Sequence, residues 1–204
     1  MSVAVLASGG GTNLQAILDT VHGRDGIKVA AVASDKPEAR ALERAREAGV
    51  PTDVFPESGF TDRRERDRAI GDWLELQGVE LVVLAGYMQL LSAEFIARFE
   101  NRIINVHPAL LPAFPGLEAV AQALAHGVRV TGVTVHFVDE GVDTGPIILQ
   151  RAVPVPTDRQ WQTLEDAIHA VEHELLPETI RLIAAGKVSF DPANPRLVLI
   201  SNGE

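Results

Sequence analysis

Apolar residues in this chain come in short, nearly continuous runs, set apart by glycine turns and charged stretches. Residues 3–7, 27–33, 80–85 and 103–106 are runs of this kind. They lack polar alternation, as strands buried on both faces do. Residues 50–55, with Val50, Val54 and Phe55, read as a short third strand. Between them lie stretches with helical spacing: 14–18 after a glycine turn, 38–48 opened by Pro37 and stopped by Gly49, and a third with a cap-like start at Thr61-Asp62-Arg63-Arg64-Glu65. The Arg, Asp and Glu run of that third helix reads as a solvated face. Met88, Leu90 and Leu91, in the turn after residue 85, read in isolation as core. Strand and helix in alternation predict a mostly parallel sheet.

Beyond residue 116 the pattern changes. Residues 116–125 read as a helix ended by His126-Gly127, and 130–138 alternate as a strand. A loop dense in acids and glycines follows, and 147–153 return as a second strand, so this pair is antiparallel and the sheet mixed. Thr157-Asp158-Arg159-Gln160 is read as a capping box for a long helix with apolar Trp161, Leu164, Ile168, Val171 and Leu175. Pro177 is expected to kink or interrupt it, and Gly186 to end it. Residues 188–190 and 197–200 form a small closing hairpin. The fold class is α/β, a Rossmann-like mostly parallel sheet with an antiparallel C-terminal part. No repeat or linker appears, so 1–204 is read as a single domain.

Two stretches carry candidate chemistry. Ser8-Gly9-Gly10-Gly11-Thr12-Asn13 joins a strand to a helix, which aims backbone N–H groups and a positive helix end at an anion. No Lys follows the glycines, so it is not a P-loop, and Leu14 stands where a dinucleotide fingerprint needs its third glycine. A mononucleotide phosphate is the preferred occupant; a tight turn without ligand is the other reading. Without that glycine, Asp35 does not read as a ribose-binding acid. The second stretch runs from Arg102 to Gly116. Asn105 and His107 are two apart on a strand and point the same way. Pro108, Pro112 and Pro115 then stiffen the loop. Of the other histidines, His169 and His173 share a helix face but lack the H-E-x-x-H order, and His136 reads as a hydrogen-bonded structural residue bordering the site.

Composition narrows the classes. The chain of 204 residues is 46% hydrophobic, has no cysteine and carries a formal net charge of −10. Disulfides and thiolate metal sites are thus excluded, and a cytoplasmic location is expected. A general basic surface for nucleic acid is also excluded. No apolar run is long enough to span a bilayer, and the N-terminus does not read as a secretory signal.

Asn105-Val106-His107-Pro108-Ala109-Leu110-Leu111-Pro112-Ala113-Phe114-Pro115-Gly116 resembles the signature of the phosphoribosylglycinamide formyltransferases, folate-dependent enzymes of purine synthesis. The loop at 8–17, Leu42-Glu43-Arg44-Ala45, Leu84-Ala85-Gly86-Tyr87-Met88 and the segment 139–147 match the same family in the same order, from Val3 to about Val188. The resemblance implies the formyltransferase fold, with a phosphate-binding half at about 1–100 and a folate and catalytic half at about 101–204. It implies that Asn105, His107 and Asp143 are catalytic. Gly11, Thr12 and Asn13 would hold the phosphate of 5-phosphoribosylglycinamide (GAR), and Glu172 its glycinamide end. Arg63, Met88, Gln89, Leu90, Leu91 and Asn105 would contact folate, with Val138 and Asp139 in the wall around its pterin.

The implied co-substrate is 10-formyltetrahydrofolate, with no metal. The implied partners are these two small molecules, without nucleic acid or membrane, and a homodimer is the leaning for assembly. Asp143 is expected to raise the pKa of His107, and Leu111-Pro112 to be cis. Three positions depart from the pattern: Gln89 where Arg is common, Ala113 where a polar or basic residue is, and Glu118 where His is frequent. A methionyl-tRNA formyltransferase would share the same three residues but need an added basic domain, and a formyltetrahydrofolate hydrolase would need an added N-terminal domain. A non-enzymatic nucleotide- or folate-binding module would explain the glycine loop but not the three residues together.

Overall fold

The strands form where the apolar runs predict them, because only a two-sided core shelters runs with no polar face. The computed structural model describes residues 1–201. Two compact units emerge, Met1–Asn105 and a second from Val106 onward. In the first, β1 (Ser2–Leu6), β2 (Lys28–Ser34), β3 (Thr52–Val54), β4 (Leu81–Leu84) and β5 (Ile103–His107) lie in the order β3-β2-β1-β4-β5. Every pair in that set is parallel. Val3, Ala4, Val5 and Leu6 are wholly buried on β1. The strand order reverses at β1 and β4, and at such switch points open α/β sheets take their ligands.

Helices α1 (Thr12–Thr20), α2 (Arg40–Glu47), α3 (Arg63–Leu76) and α4 (Ala93–Arg98) alternate with these strands. Pro37 lies three residues ahead of α2 rather than opening it. At α3 the cap is Asp62, whose Oδ1 accepts the Glu65 N–H at 2.9 Å, while Glu65 Oε2 accepts the Thr61 N–H at 2.7 Å. The expected solvated face of α3 holds at Arg63, Arg64, Glu65 and Arg68, which are exposed, and is corrected at two positions. Arg66 and Asp67 are 2% and 1% exposed, because they pair with each other and with the turn after β4.

In the second unit, α5 (Ala119–His126) begins three residues later than expected and stops at Gly127, whose φ of +75° suits a C-terminal glycine. Strands β6 (Val130–Phe137) and β7 (Ile147–Pro154) are antiparallel, and the hairpin of β8 (Val188–Asp191) and β9 (Asn194–Ile200) joins β7 through β9. The long helix α6 (Trp161–Ala184) packs on β6 and β7. Its expected capping box does not form: Gln160 takes the cap position, and Asp158 accepts the Gln160 N–H and the Thr163 hydroxyl instead. Pro177 is buried inside α6 without interrupting it. Leu111-Pro112 is cis. Among the described residues no helix is long and apolar enough to cross a membrane.

Candidate active site

The glycine loop leaves β1 and enters α1 through Gly11, whose φ of +69° lies in the left-handed region. A Cβ there would stand 2.7 Å from the Ala41 Cα, so only glycine lets α2 approach this closely. The close approach carries hydrogen bonds. Ala41 N–H donates to the Gly9 carbonyl at 3.1 Å, and Arg44 Nε donates to the Gly10 carbonyl at 2.9 Å. Arg44 Nη1 also reaches Gln15 Oε1 at 2.8 Å. With its carbonyls held toward α2, the loop is braced from behind, and Gly9, Gly10 and Thr12 remain exposed. Asn13 is buried at the first turn of α1.

The turn after β4 is tied to the same end of the first unit. Ser8 N–H donates to the Gly86 carbonyl, and Met88 N–H to Ser8 Oγ at 2.8 Å. Met88 and Leu90 are 58% and 59% exposed, a correction to their reading as core. Arg66 holds the turn from beneath: Nη2 donates to the Leu90 carbonyl and Nη1 to Gln89 Oε1, both at 3.1 Å. Gln89 Nε2 passes the connection to Asp35 Oδ2 at 3.1 Å, and Asp67 Oδ2 accepts the Ser92 N–H. Gln89 therefore joins a cation to an anion. Burial pushes the neighbouring Tyr87 phenol up. Arg63 is exposed at the first position of α3.

In the second unit the acidic loop folds back on β6. Gly145 is required there, since a Cβ would collide with the Phe137 carbonyl. Asp139 Oδ1 accepts the Gly141 N–H at 3.1 Å and the Thr144 hydroxyl at 2.6 Å, which shapes the turn. From β9, Arg196 Nη2 donates to the Thr144 carbonyl at 2.8 Å. Asp143 is held at φ +53°, a conformation that costs a non-glycine residue energy and is found where surroundings impose it. Its Oδ2 lies 3.3 Å from His107 Nδ1 and accepts the Gly116 N–H at 2.7 Å. His107 Nε2 lies 2.8 Å from the Phe114 carbonyl, and Phe114 is itself at φ +54°. Asn105 is half-buried, two residues before His107 on β5. Val138 and Asp139 are half-buried, and Glu172 is buried on α6.

Burial pushes His107 below the ordinary imidazole value, and His136 acts in the same direction; Asp143 and the Phe114 carbonyl oppose the shift without reversing it. The expectation that Asp143 raises this pKa thus holds only for its own contribution, and desolvation outweighs it. Burial also pushes the Asp143 carboxyl up. Hydrogen bonds from His136 and the Gly116 N–H, with the nearby imidazoles, bring it below the usual carboxylate value.

Sequence reasoning passed over Arg44, Arg66 with Asp67, and Thr134. Thr134 Oγ1 donates to the Ala109 carbonyl at 2.7 Å and accepts the Leu111 N–H, pinning the proline loop to β6. Alternation placed Thr134 and His136 on one face, and that signal was available. His169 and His173 stack at 6.1 Å on α6.

The Formyl transferase family model matches residues 1–180. The chain belongs to the formyl transferase family. It is 42% identical over 179 residues to the phosphoribosylglycinamide formyltransferase of Bacillus subtilis, covering 87% of this chain and 92% of that protein. The crystal structure of glycinamide ribonucleotide transformylase 1 from Symbiobacterium toebii superposes with a TM-score of 0.94 at 50% identity, covering 99% of this chain and 94% of that one. The trifunctional purine biosynthetic protein adenosine-3 of Homo sapiens is 43% identical over 189 residues; the match takes 92% of this chain but 19% of that protein. This formyltransferase thus carries a mixed α/β sheet, mostly parallel with antiparallel C-terminal strands.

Proposed function

We propose that this formyltransferase moves the formyl group of 10-formyltetrahydrofolate to the amine of GAR, giving formyl-GAR and tetrahydrofolate, in the cytoplasm. The observation that carries the reading is the carboxylate of Asp143 at 3.3 Å from His107, 36 residues away in sequence, on the strand that also bears Asn105. Family membership and the relatives' names supply the reaction class.

In this proposal the amine nitrogen of GAR bonds to the formyl carbon and the carbonyl becomes a tetrahedral oxyanion. Collapse breaks the bond from that carbon to N10, the amine gives up a proton, and N10 takes one. Asn105 and the Nε2–H of His107 are the donors to the oxyanion, each such donor being worth about 3–4 kcal/mol. The Phe114 carbonyl accepts that Nε2–H in this structure, so the formyl oxygen has to displace it. When His107 is protonated, its Nδ1–H donates to Asp143, which through a water relays the proton.

Gly11 and Thr12, with Asn13, are assigned to the phosphate, and Glu172 to the glycinamide end. Arg63, the 88–91 turn, Val138 and Asp139 are assigned to folate. Arg66 and Asp35 occupy the Gln89 side chain, so Gln89 contributes to folate through its backbone. A homodimer belongs to the same proposal; sedimentation showing a monomer at every concentration removes it.

The test follows folate deformylation with and without GAR. Turnover that needs GAR supports the reading; turnover without it selects a hydrolase. His107→Ala and Asp143→Asn are each expected to lose about 10²–10⁴-fold in kcat while remaining folded. Wild-type kcat in either removes its assigned role.

A further inference from the structure

The hydrogen count around Asp143 does not balance with His107 alone. His107 Nε2 faces the Phe114 carbonyl at 2.8 Å, and His136 Nδ1 faces the Phe137 carbonyl at 2.8 Å. A carbonyl only accepts, so both of those nitrogens carry hydrogen. The remaining nitrogens point at the two oxygens of one carboxylate: His107 Nδ1 at Oδ2, 3.3 Å, and His136 Nε2 at Oδ1, 3.6 Å. A neutral imidazole has a single N–H. The two rings therefore share one carboxylate, one at each oxygen.

His136 is brought to this position by the sheet. It is 2% exposed, and the β6–β7 register slips there: Val135 pairs with Leu149, but His136 pairs with Ile147. An extra residue on one strand re-aims the side chains around it, and such irregularities gather beside active sites. On the same face of β6, Thr134 holds the proline loop through Ala109 and Leu111. At Gly132, a Cβ would strike the Leu110 side chain. This face of β6 thus supports both loops that carry the candidate chemistry.

We propose that His136 is a positioning residue that shares the Asp143 carboxylate with His107 and fixes the orientation of that carboxylate toward His107. It rests on the proposed transfer only for its kinetic part. The charged groups that bear on Asp143 are His136 and His107, and those that bear on His107 are Asp143 and His136.

The experiment compares His136→Phe, which keeps a ring without a donor, with His136→Gln, which keeps an N–H donor that does not titrate. In both, the His107 ring resonances followed by NMR are expected to titrate at higher pH, since a neighbour that lowers the His107 value is gone. In His136→Phe, kcat falls on the order of tenfold, the scale on which a displaced group acts, with both KM values nearly unchanged. His136→Gln restores most of the lost kcat. Wild-type kcat in His136→Phe, a His107 titration unmoved in both variants, or His136→Gln as slow as His136→Phe each overturns the proposal. If the wild-type protein transfers no formyl group, the reading of function fails, while the His107 titration still judges the role of His136.

Discussion

At the scale of single residues, backbone conformation and burial decide more than side-chain identity. Gly11 combines a φ of +69° with a neighbouring helix 2.7 Å from where a Cβ would lie. Gly11→Ala is expected to destabilise the protein by about 1–3 kcal/mol and to raise the KM for GAR more than it lowers kcat. Urea unfolding and steady-state kinetics check the two parts. His107 is held below its ordinary value, so the folded state binds fewer protons there than the unfolded chain does. Its contribution to stability is complete above the ordinary histidine value and is lost as pH falls from there toward the folded value. Asp143, also lowered, contributes above the ordinary carboxylate value and loses that contribution as pH falls further, through its folded value. Stability against urea should therefore fall in two steps on acidification, and His107→Gln should shrink the first, the remainder belonging to His173, which burial also holds below its ordinary value.

At the scale of elements, α3 shows how a charged helix builds a binding turn. Arg66 and Asp67 are buried together, and between them they hold Gln89, Leu90 and Ser92. Removing one member of such a pair leaves the other charged and uncompensated. Asp67→Asn is expected to cost about 3–5 kcal/mol and to raise the KM for folate. Calorimetry would check the first effect and kinetics the second; unchanged values in both would show that the turn stands without this support. Little of this was legible beforehand. The start of the helix at residues 61–65 was visible, but Arg66 and Asp67 are spaced like any solvated pair. By contrast, Asn105 and His107 could be placed on one face of β5 from alternation alone.

At the scale of the whole molecule, the formal charge of −10 sets the long-range field against anionic substrates. Local backbone amides have to overcome it at short range. Screening grows as the Debye length shrinks from about 30 Å at 0.01 M salt to about 8 Å at 0.15 M. The value of kcat/KM for GAR is therefore expected to rise a few-fold over that range instead of falling. A steep fall would mean that an attractive local field dominates the approach.

Local pattern alone determined the strands β1, β2, β4 and β5, the change to antiparallel pairing after α5, the glycine that opens α1 and the pairing of Asn105 with His107 on one strand face. These depend on neighbours within a few residues, where periodicity and φ preferences act. Only the tertiary structure decided which charges lose their water and which distant groups meet. Arg44 bracing Gly10 across 34 residues, Arg66 reaching Leu90 across 24 and His136 facing Asp143 through a slipped strand register are of this kind. A side chain's solvation and its partner depend on how whole elements pack, and that information lies in no local stretch of the chain.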